Sequence, residues 1–352
     1  MTQVIVERVG SLARLRLNRP AALNALTHAM LHDLDAALDT LECDPAVSAI
    51  LLSGEGVRGL CAGGDIRSLY EAPRVADGPS MAFWRDEYRL DARIARCPKP
   101  FVALMDGLVM GGGIGISAHA ACRVVTERSR IGLPECSIGF VPDVGATWLL
   151  PRAPGEIGTY IGLTGRSLGG ADAIFAGFAD LFVPSDRLDR MIAALADLPP
   201  GAGLPGVRAC IGELAQDPGP APLALHRDMI DQAFGKDRVE DIVAALEAAR
   251  GDFAAQTLAD LRAKSPTALK YALRLVRMGR GVDSLEAALE LEYAAARALV
   301  LGHDFYEGIR AAIIDRDRAP KWQPATLDEV SDESVARALQ LTADRVFPDL
   351  AE

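Results

Sequence analysis

The order strand, glycine-rich loop, helix, strand occurs twice in the first third of the chain, and this repeat limits the fold more than any other feature. A short apolar run over 47–52 leads into the glycines between Ser53 and Asp65. A second run, Phe101–Met105, leads into Met110-Gly111-Gly112-Gly113. Apolar runs of this length between turn signals are typical of buried strands. The repeat therefore predicts an α/β chain built from ββα turns.

Local patterns predict the elements around this repeat. Alternation of apolar and polar residues over Val4–Val9 and Leu12–Leu17 indicates a β-hairpin. Leucines and a methionine at helical spacing predict a helix over Leu26–Leu41, with Thr27 as its N-cap. Farther along, the pattern predicts one continuous helix over 242–261 and others over 266–276 and 285–301.

Periodicity changes along the chain, and we expect three regions. Residues 1–195 form the α/β core and carry the active site. Residues 196–255 form an insertion or linker that is largely helical, since 195–222 is rich in Pro, Gly and Ala and has the weakest periodicity. Residues 256–352 form a helical C-terminal region that packs on the core or on a partner subunit.

Composition excludes several functions. With 37 Lys and Arg against 48 Asp and Glu, the net charge of −11 opposes binding along nucleic acid. No apolar run approaches the roughly 20 residues that a membrane span needs. The six cysteines contain no CxxC pair, so neither a metal site nor a disulfide framework is expected. The first residues show no signal peptide, and we expect a cytoplasmic protein.

The two glycine-rich loops are candidates for binding a carbonyl oxygen. Gly63-Gly64 and Gly111-Gly112-Gly113 each follow a strand and precede a helix. Glycine lets a ligand approach the backbone closely, and two converging N–H groups would form an oxyanion hole. The alternative is that these glycines only permit tight turns and close helix packing. Neither loop has the spacing of a nucleotide-binding motif.

Two carboxylates lie in an apolar stretch just after the second loop. Glu135 follows Pro134, and Asp143 follows Pro142. Buried carboxylates cost free energy unless they are paired or functional, so both are candidates for acid–base chemistry. For Glu135 the alternative is a structural one, since an acid is also favoured in the first turn of a helix.

Several motifs together resemble the crotonase (enoyl-CoA hydratase/isomerase) superfamily. They are Asn18-Arg19-Pro20, Cys61-Ala62-Gly63-Gly64-Asp65, Met110-Gly111-Gly112-Gly113 and Pro134-Glu135. Further motifs resemble one branch, the 3-hydroxyisobutyryl-CoA hydrolases. They are Phe83–Tyr88, Gly139–Gly145, Gly302–Phe305 and Pro320–Pro324. The resemblance covers nearly the whole chain and implies a crotonase-like ββα spiral core with a helical C-terminal region.

The resemblance also implies roles for individual residues. The substrate would be a coenzyme A thioester, with no separate cofactor and no metal. Gly64 and Gly112 would form the oxyanion hole, and Glu135 would be catalytic. Glu87 would support or contact the acyl pocket, so that Glu87, Gly112, Glu135 and Asp143 would bind substrate.

Two departures from the family pattern favour the hydrolase branch. Crotonase hydratases carry a second catalytic glutamate shortly after the glycine triplet, where this chain has Gly115. They usually have glycine at the position of Asp143. An acid lost at one place and gained at another suggests changed chemistry, with Asp143 binding a substrate 3-hydroxyl and assisting proton transfer.

We therefore expect hydrolysis of a short branched 3-hydroxyacyl-CoA, with 3-hydroxyisobutyryl-CoA of valine breakdown as the leading substrate. The alternatives are a hydratase or isomerase of the same superfamily and a non-catalytic CoA-binding homologue. Arg19, Arg67 and Lys321 are candidates for binding the CoA phosphates. The resemblance also favours a homo-oligomer, a trimer or its multiple.

Overall fold

The computed structural model describes residues 2–75, 78–340 and 344–349. Its strands begin with the expected hairpin, and Val4–Val9 pairs antiparallel with Leu12–Leu17. The strands are β1 (Val4–Val9), β2 (Leu12–Leu17), β3 (Ala49–Gly54), β4 (Gly59–Cys61), β5 (Phe101–Met105), β6 (Leu108–Met110), β7 (Cys122–Val125), β8 (Arg130–Gly132) and β9 (Leu181–Phe182).

From β3 to β9, successive strands alternate between two sheets. One sheet has the order β1-β2-β3-β5-β7-β9, and the other has the order β4-β6-β8. Apart from the β1–β2 hairpin, every paired strand is parallel to its neighbour. Each pair β3/β4, β5/β6 and β7/β8 therefore contributes one strand to each sheet, which confirms the predicted ββα turns.

The helices in the first half are mostly short. Thr27 caps the first one as predicted, since its side chain accepts a hydrogen bond from the Met30 N–H. The helices are α1 (His28–Cys43), α2 (Ile66–Glu71), α3 (Pro79–Ala95), α4 (Gly112–Ala118), α5 (Ala146–Leu149), α6 (Ile157–Thr164), α7 (Gly170–Phe175) and α8 (Leu188–Ala196).

Helices dominate the rest of the described chain. They are α9 (Gly203–Gly212), α10 (Arg227–Phe234), α11 (Val239–Ala248), α12 (Asp252–Arg262), α13 (Pro266–Gly279), α14 (Leu285–Leu299), α15 (His303–Ile309) and α16 (Asp332–Ala338). The predicted continuous helix over 242–261 is wrong. Gly251 interrupts it with a φ of 105°, a conformation that glycine adopts readily and that no helix contains.

The chain divides into two compact units. The first contains both sheets and comprises residues up to Asp65, Arg89–Gly132 and Ser167–Ala224. Its core packs α8 and α9 against the larger sheet, with Met191, Val207 and Ile211 fully buried. A packed helix thus occupies part of the stretch 195–222, where small residues hide the apolar periodicity.

The second unit is helical and comprises Ile66–Tyr88, Leu133–Arg166 and the chain from Leu225 onward. Aromatic side chains fill part of its core. Trp84 stacks on Phe140 with ring centroids 4.9 Å apart, and Phe305 contacts both rings. The functional regions predicted at 1–195, 196–255 and 256–352 stay a prediction. None of the helices in the described residues is both long enough and apolar enough to cross a membrane.

Candidate active site

The first unit brings the two glycine-rich loops against each other. A Cβ atom added to Gly63 would lie 3.1 Å from the Met110 carbonyl oxygen, and one added to Gly113 would lie 2.7 Å from the Cys61 carbonyl oxygen. Gly63 also has a φ of 100°. A side chain at either position would collide with the backbone of the other loop. The alternative that these glycines permit tight turns and close packing is therefore correct for Gly63 and Gly113.

The same loops leave two backbone donors for a ligand. Gly64 lies in a parallel bridge with Leu26, and the bonds of this bridge use the N–H groups of Leu26 and Asp65. Gly112 is the first residue of α4, where an N–H group has no acceptor within the helix. The N–H groups of Gly64 and Gly112 are thus free of the bonds that build these elements, as an oxyanion hole needs.

Position 115, where hydratases carry their second glutamate, is filled from another direction. Gly115 is buried in α4, and a Cβ atom there would lie 2.5 Å from Oδ2 and 2.7 Å from Oδ1 of Asp91. Asp91 is fully buried on α3. The Asp91 carboxylate therefore occupies the space into which any side chain at position 115 would first extend.

The second unit holds a cluster of buried acids that we call the acid cluster: Glu87, Glu135, Asp143 and Glu292. Each is at most 7% exposed. Glu87 lies on α3, Glu135 begins a short 3-10 helix over Glu135–Ile138, and Glu292 lies on α14. Asp143 lies in the loop that precedes α5. Sequence analysis predicted Glu87, Glu135 and Asp143 as site residues, and the charge of Asp143 acts on both glutamates.

Local structure explains how Glu135 and Asp143 are held. Gly139 ends the 3-10 helix in the left-handed conformation, and the Phe140 N–H bonds back to the Glu135 carbonyl at 3.1 Å. Pro134 occupies the N-cap position of this 3-10 helix. The Tyr88 hydroxyl donates a 2.7 Å hydrogen bond to Oδ2 of Asp143.

Burial and mutual repulsion change the titration of the acid cluster. Burial raises the pKa of Glu135 well above its ordinary value, and the charge of Asp143 raises it further. The same two causes raise the pKa of Glu87. Burial raises the pKa of Asp143 from 3.8 to about 7, although the Tyr88 hydrogen bond opposes this. A carboxyl with a pKa near neutrality can both give and take a proton at working pH.

Two oxygens of the acid cluster are left for a ligand. Within the described part of the chain, Oε1 of Glu87 and Oε2 of Glu135 are buried and have no hydrogen-bond partner. A buried polar atom without a partner costs free energy, so such atoms often mark the place where a substrate binds.

Sequence reasoning missed two members of this arrangement, Tyr88 and Glu292. Tyr88 directly follows Glu87 in α3 and is fully buried. Glu292 lies on an apolar face of α14, which is the one signal that could have marked it, because a charge on a buried helix face needs a partner. Its partners lie 145 and 147 residues earlier in the chain.

The candidates for binding the CoA phosphates have other partners or are exposed. Arg19 forms an ion pair with Asp65 at 2.9 Å. Arg67 lies 4.0 Å from Glu71 across one turn of α2. Lys321 is exposed, and its N–H bonds to Glu307. These contacts do not single out Arg19, Arg67 or Lys321 as a phosphate ligand. Their role in binding the CoA phosphates stays a prediction.

Parallel strands that alternate between two sheets, with paired glycine loops and helices between them, define a crotonase-fold protein. The comparisons agree with this class. The chain belongs to the enoyl-CoA hydratase/isomerase family, since the model of that family matches residues 12–339.

Relatives within this family carry different names. The chain is 38% identical over 336 residues to the mitochondrial 3-hydroxyisobutyryl-CoA hydrolase of Gallus gallus. This alignment covers 94% of this chain and 87% of the relative. A solved structure of a carnitinyl-CoA dehydratase from Mycobacterium thermoresistibile is 42% identical, with a TM-score of 0.91 and 99% of each chain covered. An enoyl-CoA hydratase from Rhodobacter sphaeroides is 45% identical, with a TM-score of 0.84, and 96% of this chain and 97% of that chain are covered.

Proposed function

We propose that this protein hydrolyses the thioester of a short branched 3-hydroxyacyl-CoA, with 3-hydroxyisobutyryl-CoA as the leading substrate. The observation that carries the proposal is the acid cluster of buried carboxyl groups, in which burial and then the charge of Asp143 raise the pKa of both Glu87 and Glu135. The name of the Gallus gallus relative supports the same reaction. Release of free CoA thiol from 3-hydroxyisobutyryl-CoA tests the proposal, and intact thioester would refute it.

The glycine loops supply the electrostatic part of this reaction. As a nucleophile adds to the thioester carbonyl, negative charge develops on the carbonyl oxygen. The N–H groups of Gly64 and Gly112 would donate hydrogen bonds to that oxygen. Loss of one such donor typically lowers kcat by about 10²–10³-fold, so these two hydrogen bonds would contribute substantially to catalysis.

Glu135 would open the thioester by one of two routes. As a general base, its carboxylate removes a proton from water while the water oxygen attacks the carbonyl, and CoA leaves as the thiol after it receives that proton. As a nucleophile, the carboxylate attacks the carbonyl directly and expels CoA as the thiolate. Water then hydrolyses the resulting anhydride to two carboxylates, and the protons released include the one that converts the thiolate to the thiol. The unpartnered Oε2 of Glu135 is suited to either role.

Oxygen-18 water separates these two routes. The enzyme is taken through several turnovers in labelled water, and the peptide that contains Glu135 is then analysed by mass spectrometry. Label in the Glu135 carboxyl supports the anhydride route. Label in the released acid alone excludes an anhydride that water opens at the Glu135 carbonyl carbon.

Asp143 would recognise the 3-hydroxyl group of the substrate. Tyr88 occupies one lone pair of its carboxylate, and the remaining lone pairs can accept a hydrogen bond from an alcohol. Glu87, whose Oε1 is unpartnered, would contact the acyl pocket. Asp143→Gly should therefore reduce kcat/KM more for 3-hydroxyisobutyryl-CoA than for isobutyryl-CoA. An equal loss on both substrates would exclude the hydroxyl-binding role.

A hydratase is the second candidate, because two similar solved structures carry hydratase and dehydratase names. Hydration by the two-acid route needs a second acid near the glycine triplet, and position 115 is a glycine that packs on Asp91. Asp143 would have to replace that acid. The products separate the two candidates, since hydration leaves the thioester intact.

We also propose that the protein is a homo-oligomer, a trimer or its multiple, which light scattering would test. The cytoplasmic location stays a prediction from the sequence. The Gallus gallus relative is named as a mitochondrial enzyme.

A further inference from the structure

Glu292 binds the backbone of the loop that carries Asp143. It lies on α14, and its side chain is fully buried. Its Oε2 accepts a 2.8 Å hydrogen bond from the Gly145 N–H, and its Oε1 accepts a 2.6 Å hydrogen bond from the Thr147 N–H. One carboxylate therefore holds two amides that lie just after Asp143 in the chain.

The loop needs such an anchor because its backbone is strained. Val144 has a φ of 55° and Gly145 has a φ of 85°, so two successive residues adopt the left-handed conformation. Glycine adopts it freely, but for a β-branched residue such as valine it is unfavourable. The two hydrogen bonds to Glu292 act on the residues that follow this bend, and they favour the strained form over relaxed alternatives.

Asp143 is thus fixed from two directions. The Tyr88 hydroxyl holds its carboxylate, and Glu292 holds the backbone beside it. The two acids are also close enough that the charge of Asp143 adds to burial in raising the pKa of Glu292 to about 8. Burying a second acid beside the first is costly, and the backbone bonds give a reason for its presence.

We propose that Glu292 is a positioning residue that sets the place of the Asp143 carboxylate and thereby the preference for a 3-hydroxyacyl group. The proposal rests on the proposed function, in which Asp143 binds the 3-hydroxyl group. Glu292 acts through the loop of Asp143 and does not itself contact the substrate.

Substrate preference tests this role better than activity alone. We would measure kcat and KM for Glu292→Gln with 3-hydroxyisobutyryl-CoA and with isobutyryl-CoA. The amide turns a donor towards one of the two N–H groups, so the loop loses a bond while side-chain size is kept. The preference for the 3-hydroxyacyl substrate, as a ratio of kcat/KM values, should fall about 10-fold or more.

Glu290→Gln is the matched control. Glu290 is also a buried acid on α14, but its Oε1 accepts a 2.7 Å bond from the Phe347 N–H, far from Asp143 in the chain. The control should leave the preference within about 2-fold of the wild type. An unchanged preference in Glu292→Gln, or an equal loss on both substrates, would overturn the proposal.

Two further measurements keep the test decisive. If Glu292→Gln does not fold, Glu292→Asp is assayed in the same way, since the shorter side chain keeps the charge but cannot reach both amides. Hydrogen exchange of the wild-type segment 143–149 must also show protection, and free exchange there would overturn the proposal.

If the wild type itself shows no preference for the 3-hydroxyacyl substrate, the proposed function fails. If the wild type and Asp143→Gly behave as proposed while Glu292→Gln and Glu292→Asp keep the preference, the role of Glu292 alone fails.

Discussion

Asp143→Asn should make the protein more stable at alkaline pH while it weakens activity. Asp143 is 4% exposed, and burial raises its pKa from 3.8 to about 7. The folded state therefore holds the proton more tightly than the unfolded state does. Ionisation of Asp143 then lowers the stability of the wild type as the pH rises from about 4 to about 7. Asparagine keeps the shape, can still accept from Tyr88, and does not ionise.

The pKa difference gives the size of this effect. A rise from 3.8 to about 7 corresponds to roughly 4 kcal/mol of destabilisation in the wild type above pH 7. At pH 5 only a part of this destabilisation is present, because Asp143 is still largely protonated in the folded protein. The advantage of Asp143→Asn in the free energy of unfolding should therefore grow by about 3 kcal/mol between pH 5 and pH 8.

Urea unfolding at the two pH values measures this growth. Asp283→Asn is the control, because Asp283 is an exposed acid in the same helical unit. For the control, the difference in the free energy of unfolding between variant and wild type should change by no more than about 0.5 kcal/mol between pH 5 and pH 8. A pH-independent difference for Asp143→Asn, or a variant less stable than the wild type at pH 8, would refute the reasoning.

Three other substitutions test the site. Glu135→Gln should lower kcat by about 10²–10⁴-fold with both acyl-CoA substrates, and a smaller loss in thiol release would exclude its acid–base role. Tyr88→Phe removes the hydrogen bond that lowers the pKa of Asp143. That pKa then rises, and the acidic limb of the kcat/KM profile should move to higher pH. An unmoved limb would contradict the role of Tyr88. Gly115→Glu should destabilise the protein by about 1–3 kcal/mol in urea, because its Cβ would meet the Asp91 carboxylate. It should not create hydration of an enoyl-CoA, and the appearance of that activity would show that the space at position 115 is open.

The sequence predicted the elements whose periodicity is local. The hairpin of β1 and β2, the N-cap of α1 and the strand Phe101–Met105 all follow from neighbouring residues. Local patterns could not show that Gly251 interrupts a helix, because a single glycine is tolerated inside many helices. They also could not show that α9 is packed, because its glycines and alanines dilute the apolar stripe.

The site shows the same division between local and long-range information. Motifs identified Gly64, Gly112, Glu135 and Asp143 as candidates. The bonds to Asp143 and its loop come from residues 55 positions earlier in the chain and about 150 positions later. Such pairs depend on tertiary folding and leave no spacing in the sequence. The buried charge of Glu292 on an apolar helix face was the only trace of its role.

The most direct test of the account is to follow two products at once from 3-hydroxyisobutyryl-CoA. A thiol reagent reports free CoA, and ultraviolet absorbance reports an enoyl-CoA formed by dehydration. The account predicts thiol release by the wild type without enoyl absorbance, and its near-complete loss in Glu135→Gln. Enoyl absorbance without thiol release would contradict the account and assign the acid cluster to hydratase chemistry.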